Sequence, residues 1–513
     1  MNKKRNILLI ASLLSLSLAA CDFGGSSSTI NSSSDSSSQE SSIVSSIESS
    51  SSSSSSSLER KQLNPDEVLE YVDDPEYIGG LAVKAINRDI IGDLIIPSEH
   101  DGKPVTSIYR FGFDNCDYLY SVVIPDSVLL IEWDAFNGCD RLESVTLSKN
   151  LKSISSYAFK ECISLKSIVI PDSVTTLLEM TFSRCRSLET AVLGRGLTST
   201  GEYTFDLCEN LSSITIPNTI TEIGEFAFGY CSFKSIDIPQ SVTTIAHSAF
   251  NNCQSLETLN ISKNVTEIGL AAFYGCDSLE SINVDKDNPN YTSLDGVIYS
   301  KDLTTLIAFP GNWSKAFNIN PNTITIGDYA FGGCSKLVSF DIPNHITAIG
   351  QDAFCYCEAL TSITIPTSVT SMGMFCFAHD TALTAITIPG SIATIEQGTF
   401  RDCWALTSVT LSEGTTFIGN EPFDWCRTLK SIVIPHSVTK LGLQALYDSF
   451  LDDIYYKGTE EEWNNIESLS RPPYIYNAEE ATLYFYSETQ PTKAGDYWHY
   501  VGETPTSWNN ANK

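Results

Sequence analysis

Fifteen cysteines and six histidines are the side chains best suited to chemistry in this 513-residue chain. Twelve cysteines stand three places after a phenylalanine, at 116, 139, 162, 185, 208, 231, 253, 276, 334, 357, 403 and 426. Neighbouring copies of such a column fall within the Cα separation that a disulfide allows, ~4.4–6.8 Å. Asp380 and Ser449 nevertheless occupy the same column with no paired loss of cysteine, so the column reads as buried thiols behaving as small hydrophobes. Cys355, Cys357, Cys376 and His379 carry zinc-ligand residue types in a C-x-C…C-x-x-H order. Cys357 belongs to the column, however, and Cys376 replaces the alanine of a recurring Ala-Phe pair. No metal and no cofactor are therefore expected. His100, His247, His345, His379, His436 and His499 fall beside no nucleophile, and no His-Glu-x-x-His, phosphate loop or nucleophile elbow is present. Asp285-Lys-Asp287-Asn288 lacks the spacing of a calcium loop and reads as a turn. The residues point away from an enzyme.

The fifteenth motif cysteine, Cys21, belongs to different chemistry. Met1 to Arg5 is basic, and Ile7 to Ala20 is an apolar run of about 14 residues, short of the ~20 needed to cross a bilayer. It reads as an export signal. Its end, Leu18-Ala19-Ala20-Cys21, resembles the lipobox of bacterial lipoproteins, and that resemblance implies cleavage before Cys21 and a diacylglyceride on its sulfur. Residues 1–20 would then be the signal peptide, and residues 21–58 a tether. Ser26 to Ser57 holds 22 serines in 32 residues, too little apolar content to fold. As a random coil it would span ~30 Å, and at full extension ~110 Å.

Charge narrows the partners. The chain carries 62 acidic and 31 basic side chains, a formal charge of −31, and loss of Lys3, Lys4 and Arg5 with the signal leaves −34. Nucleic acid and anionic membrane surfaces would repel such a chain. Contact with a membrane is expected through the lipid anchor only.

The cysteine column belongs to a repeat. Phenylalanines fall at 113, 136, 159, 182, 205, 228, 250, 273, 331, 354, 377, 400 and 423, stepping by 23 except for one step of 22 and one of 58. Leu446 sits one further step on, in a worn fourteenth copy. A fixed period in this range marks a solenoid whose units bury their apolar faces by stacking. Within a unit, Leu-x-Ser-Ile-x-Ile alternates like a short half-buried strand, and the proline after it ends the strand. Val, Ile, Ala, Phe and Cys supply an irregular, inward-facing return path. The unit Pro125-Asp-Ser-Val-Leu-Leu-Ile131-Glu-Trp-Asp-Ala135-Phe136-Asn-Gly-Cys139-Asp-Arg-Leu142 resembles the leucine-rich repeats of the BspA type, found in bacterial and protist surface proteins. The resemblance covers roughly residues 97–447. The expected fold is thus a leucine-rich-repeat solenoid with one short parallel strand per 23 residues and an irregular convex side. Fourteen strands at ~4.8 Å would make a curved rod of about 65 Å.

The remaining elements frame this array. Residues 59–105 lack the repeat and read as an N-terminal cap, and residues 106–447 as the solenoid. About 285–320 is an insertion whose apolar runs flank Ser300-Lys-Asp302 as a β-hairpin. Residues 448–513 read as an aromatic-rich C-terminal cap. From Tyr447 on there are 14 aromatics in 67 residues, about twice the chain average. Thr459-Glu-Glu-Glu462 forms a capping box opening a short helix, and Thr482–Tyr486 and Tyr497–Val501 look like strands. The weak ligand-binding candidates lie here: Trp463, Tyr484, Tyr486, Trp498 and Tyr500.

On the repeats, the outward strand positions run from Ser144/Thr146 to Ser431/Val433 and form a flat hydroxyl array nearly free of charge and aromatics. Exposed anchors are expected elsewhere, at Trp133, Trp404 and Trp425 or in the insertion and tail. The expectation is a lipid-anchored protein on the outer side of a bacterial cell membrane. Its task would be non-catalytic binding of an extracellular protein, or adhesion to host or neighbouring cells, which is what the resemblance implies. Glycan capture by the aromatic C-terminal region is the alternative, and an envelope protein without a specific ligand is the second. No nucleic acid partner is expected.

Overall fold

A computed structural model describes residues 60–313, 317–446, 451–469, 481–492, 495–502 and 504–508. Cys21, the signal and the serine tract, as well as Ser449, lie outside these residues.

Each 23-residue unit makes one coil. The strand Ser167–Val169 is followed by a proline turn and a two-residue strand, Thr176–Leu177. Two tight turns around Phe182 then lead back to Leu188 and the next long strand. The alternation in the sequence decides the orientation: Ser167 and Val169 are exposed while Ile168 between them is buried. Coils stack in parallel, in register by one repeat, so that Ser167 pairs with Thr190 and Thr190 with Ser213. The second ladder, in which Leu130, Ser153 and Thr176 pair in turn, falls within the return path. Its buried residues, Ile131, Ile154 and Leu177, are the recurring apolar position between the proline and the phenylalanine. Beyond this ladder the return path is turns.

Phenylalanine and cysteine hold the turns. Phe113 stacks on Phe136 at 4.9 Å between ring centroids, and the stack continues through Phe159, Phe182, Phe205, Phe228, Phe250 and Phe273. All these rings are buried. Eleven of the twelve column thiols donate to the backbone carbonyl of the phenylalanine one coil earlier, Cys139 to Phe113 at 3.0 Å and Cys426 to Phe400 at 3.0 Å among them. The fourteen described cysteines are free and buried. The column is therefore a ladder of weak S–H donors bridging neighbouring coils.

The residues two before and two after each phenylalanine adopt left-handed backbone. Tyr157 (φ 61°) and Glu161 (φ 60°) flank Phe159, and Phe375 (φ 53°) and His379 (φ 63°) flank Phe377. Glycine takes the place at Gly138, Gly275, Gly333 and Gly398, where it carries no Cβ penalty. Elsewhere bulky side chains accept a strain of about 1–2 kcal/mol each because the coil on either side fixes the turn.

The insertion contains the expected hairpin, Val297–Ser300 with Thr305–Ala308, and a third antiparallel strand, Tyr291–Leu294. Asp295 (φ 52°) and Gly296 (φ 87°) turn the first pair, a dipeptide suited to a two-residue hairpin loop. Thr305–Ala308 then joins the short-strand ladder beside Thr325–Ile326. Phe309 stacks on Phe331 at 4.6 Å and accepts from Cys334 Sγ at 3.8 Å. The insertion thus supplies a coil of its own within the 58-residue step. It also divides the core: Ile298 packs with the preceding coils, and Val297 and Tyr299 with those that follow.

At the N-terminal end, the antiparallel pair Leu69–Asp73 and Leu81–Ala85 heads the short-strand ladder through Lys103–Ile108, and Gly92–Ile95 heads the long-strand ladder beside Leu119–Val123. At the other end the tail extends the sheet. Asp453–Tyr456 and Thr482–Tyr486 add in parallel after Ser431–Ile434, then come Tyr497–Val501 and an antiparallel Thr504–Ser507. The helix Glu460–Asn464 opens on the capping box of Thr459 and Glu462.

Candidate functional site

Three exposed regions could meet a ligand. The first is the outward face of the long-strand ladder. Ser213 and Thr215, Ser362 and Thr364, and Ala385 and Thr387 are exposed in pairs. The hydroxyl track gives way near the insertion to Asp237, Asn260 and Asn283, where Asn283 Nδ2 donates to Asn260 Oδ1 at 3.2 Å. These line a shallow depression of about 390 Å³ together with Asp285.

The second region is the aromatic end. The parallel register continues the track from Thr410 to Val433, Tyr455 and Tyr484, and sets Trp498 beside Tyr486. Four of the five sequence candidates thereby converge. Trp498 lies 4.9 Å from Tyr500 and 5.1 Å from Tyr486, and Tyr455 stacks on Tyr484 at 5.3 Å. Trp498 is fully buried and its Nε1 donates to the Tyr456 carbonyl at 2.9 Å. It is the centre of a small second core on this face, formed with Val433 and Tyr455. The rings left to a ligand are Tyr486, which is exposed, and the half-buried Tyr484 and Tyr500, with Lys457 5.4 Å from the Tyr500 ring. The fifth candidate, Trp463, goes elsewhere, packing edge-on to Tyr456 at 5.1 Å against the main core.

The third region is the turn edge. Phe111, Trp133 and Tyr157 form a run of rings at 5.4 and 6.2 Å, with Phe111 and Trp133 about half exposed. Further along the repeats, in the other left-handed column two residues after each phenylalanine, stand Tyr356, His379, Asp402 and Trp425. His379 stacks on Tyr356 at 4.1 Å and its Nδ1 is 3.7 Å from Asp402. Trp404 and Trp425, 49% and 46% exposed, flank the guanidinium of Arg427. The three tryptophans are exposed, as their place in the repeat leads one to expect. Arg427 was missed, although Arg427 follows Trp425 by two residues and its signal was there to read.

Cys355, Cys357 and Cys376 are buried together near Asp380, but His379 does not join them. Cys357 Sγ donates to the Phe331 carbonyl at 3.3 Å, whereas His379 faces the surface stack. Among the described residues no group of three or more His, Cys, Asp or Glu side chains is arranged to hold a metal ion. Burial pushes the column thiols up, Cys276 to about 12, so they are poor nucleophiles. Burial raises several acids too, among them Asp206 to about 7, Asp352 to about 6, and Asp380 well above the ordinary carboxyl range. Asp380 fills the column place of a cysteine. Its Oδ1 accepts from the Cys357 N–H at 2.9 Å and its Oδ2 is buried with no partner among the described residues.

Comparison with known proteins bears on the coil itself. The BspA type leucine rich repeat region matches in six copies, over residues 106–231, 182–302 and 324–452. The chain belongs to the BspA-type leucine-rich repeat family. A leucine rich cell surface protein of Faecalibacterium prausnitzii is 29% identical, with 78% of this chain and 96% of that one covered and a TM-score of 0.54. The pneumococcal vaccine antigen PcpA is 19% identical over 78% of this chain and 97% of that one, TM-score 0.44. A leucine rich repeat protein of T. pallidum is 28% identical over 42% of this chain and 90% of that one, TM-score 0.34. No curated protein matches the sequence. Membership fits the observed coil, a scaffold typical of non-catalytic binding proteins. Among the described residues no helix is long and apolar enough to cross a membrane.

Proposed function

We propose that this chain is a lipid-anchored protein of the bacterial cell surface that binds other proteins without catalysis and so mediates adhesion to host or neighbouring cells. The observation that carries the reading is the set of aromatic side chains held exposed on a regular, coil-stabilised edge. Trp133, Trp404, Trp425, Phe111 and Tyr230 are each 42–49% exposed, and three of them sit in left-handed backbone. Aromatic anchors presented by a rigid scaffold are what protein interfaces use. The similarity to a leucine rich cell surface protein of Faecalibacterium prausnitzii supports the location. The motif ending at Cys21 supports the anchor, since a residue with more than one acyl chain is held stably at a membrane. Glycan capture is the second reading, favoured by the rings of Tyr484, Tyr486 and Tyr500 on the outward sheet face.

Bacteria expressing the full chain should adhere to collagen- or mucin-coated surfaces, and Cys21→Ser should release the protein to the medium and abolish adherence. Unchanged cell association of the Cys21→Ser protein would refute the anchor. Adherence no greater than that of cells lacking the chain would refute the binding role.

A further inference from the structure

We infer that Trp404, Arg427 and Trp425 form an anchor that receives an acidic side chain of a protein partner; the inference rests on the binding role proposed above and names the chemistry of its partner. The Arg427 guanidinium lies 4.8 Å from the Trp425 ring centroid and 5.9 Å from that of Trp404. Among the described residues it makes no hydrogen bond or ion pair, whereas its neighbour Arg401 is matched to Asp402 at 3.6 Å and Asp424 at 3.5 Å. Arg427 is itself exposed.

The Trp404 indole and the Trp425 backbone are themselves held. Trp404 Nε1 donates to Asp402 Oδ1 at 3.1 Å. Trp425 stands in left-handed backbone (φ 60°), a conformation a bulky residue adopts only when its surroundings hold it there. Rings on two successive coils thus limit where the exposed guanidinium can go. The guanidinium is a planar fork matched to a carboxylate, and the indole faces beside it offer apolar contact to the side chains flanking the acid. Tryptophan and arginine together are the residues that most often dominate protein interfaces.

The test uses the full chain at physiological salt and two peptides, acetyl-Leu-Glu-Leu-Glu-Leu-amide and its glutamine counterpart, followed by tryptophan fluorescence. The acidic peptide should bind saturably and the glutamine peptide at least about tenfold more weakly, the size of one charge-assisted contact. Arg427→Ala should lose the same factor, Arg427→Lys part of it, and the control Arg195→Ala none. Equal binding of both peptides, indifference to Arg427→Ala, no saturation, or tighter binding of polygalacturonate than of the acidic peptide would each overturn the anchor. Equal melting temperatures of the variants check that the fold is intact. A parallel arm compares wild type and Arg427→Ala on immobilised collagen and mucin. Saturable binding unaffected by the substitution defeats the anchor and leaves the binding role standing, whereas Arg427-dependent peptide binding without binding to either protein does the reverse.

Discussion

Asp380 condenses the logic of the repeat into one side chain. Eleven of its column counterparts, such as Cys403 donating to the Phe377 carbonyl at 3.1 Å, bridge coils as weak donors. A carboxylate in that place can only accept, and burial among Cys355, Cys357, Cys376 and Cys403, with no cation facing it, drives it to the neutral acid. A buried acid whose folded-state value is raised stabilises the fold most fully below the ordinary carboxyl range, near pH 4, and loses that contribution as pH rises through the raised value. Asp206 and Asp352, raised to about 7 and about 6, act with the same sign. The urea midpoint should therefore fall from pH 5 to pH 8. Asp380→Cys should raise the midpoint at pH 8, as the unfolding free energy grows by about 1–3 kcal/mol on relief of an ill-matched buried group, and flatten the fall of the midpoint with pH. A lower midpoint in Asp380→Cys, or an unchanged slope, would contradict this account. The substitution itself was visible in the sequence as a gap in the column. What it costs was not, because only the structure shows that the column's job is to donate.

At the scale of elements, the long strand and its outward pair could be read from Leu-x-Ser-Ile-x-Ile, since period-two alternation is the direct imprint of a half-buried strand. The two-residue strands could not, because two residues carry no periodicity; they exist through pairing with neighbouring coils, as Ser153 does with Leu130 and Thr176. The left-handed turn positions were hidden for a related reason. Their usual marker is glycine or asparagine, and here stacking holds Tyr157 and Leu207 in the same backbone. Phe309 was hidden by its spacing, 36 residues after Phe273 and 22 before Phe331. The tail was read as carrying strands, as observed, but its aromatic candidates divide between the outward face and the main core. Trp498 decides how that end holds together. Trp498→Ala should remove about 3–5 kcal/mol locally and speed amide exchange in Asp453–Tyr456 and Thr482–Tyr486, with no change in Ser144–Thr146, because coupling in a solenoid is carried between nearest neighbours. Exchange that rises equally along the whole chain would show that the cap is not a local element.

For the whole molecule, the repeat sets what kind of function is available. Thirteen phenylalanine-centred copies were enough to give the family and fold, because each coil buries its apolar positions in the same way and leaves the same positions outside. What those outside positions bind is not written in the repeat. It depends on departures from it: Trp404, Trp425 and Arg427 at the turn edge, Asp237, Asn260 and Asn283 beside the insertion, and the tyrosines of the final strands. The same reasoning places binding on side chains that the fold tolerates but does not need. Residues 59–513 should therefore bind an immobilised extracellular protein such as collagen or mucin in a saturable manner. The Trp404→Ala/Trp425→Ala variant should lose at least about tenfold in affinity while keeping its melting temperature. Saturable binding lost in this way is the predicted result; binding by neither protein, or by both equally, would contradict an adhesive role carried by the solenoid edge.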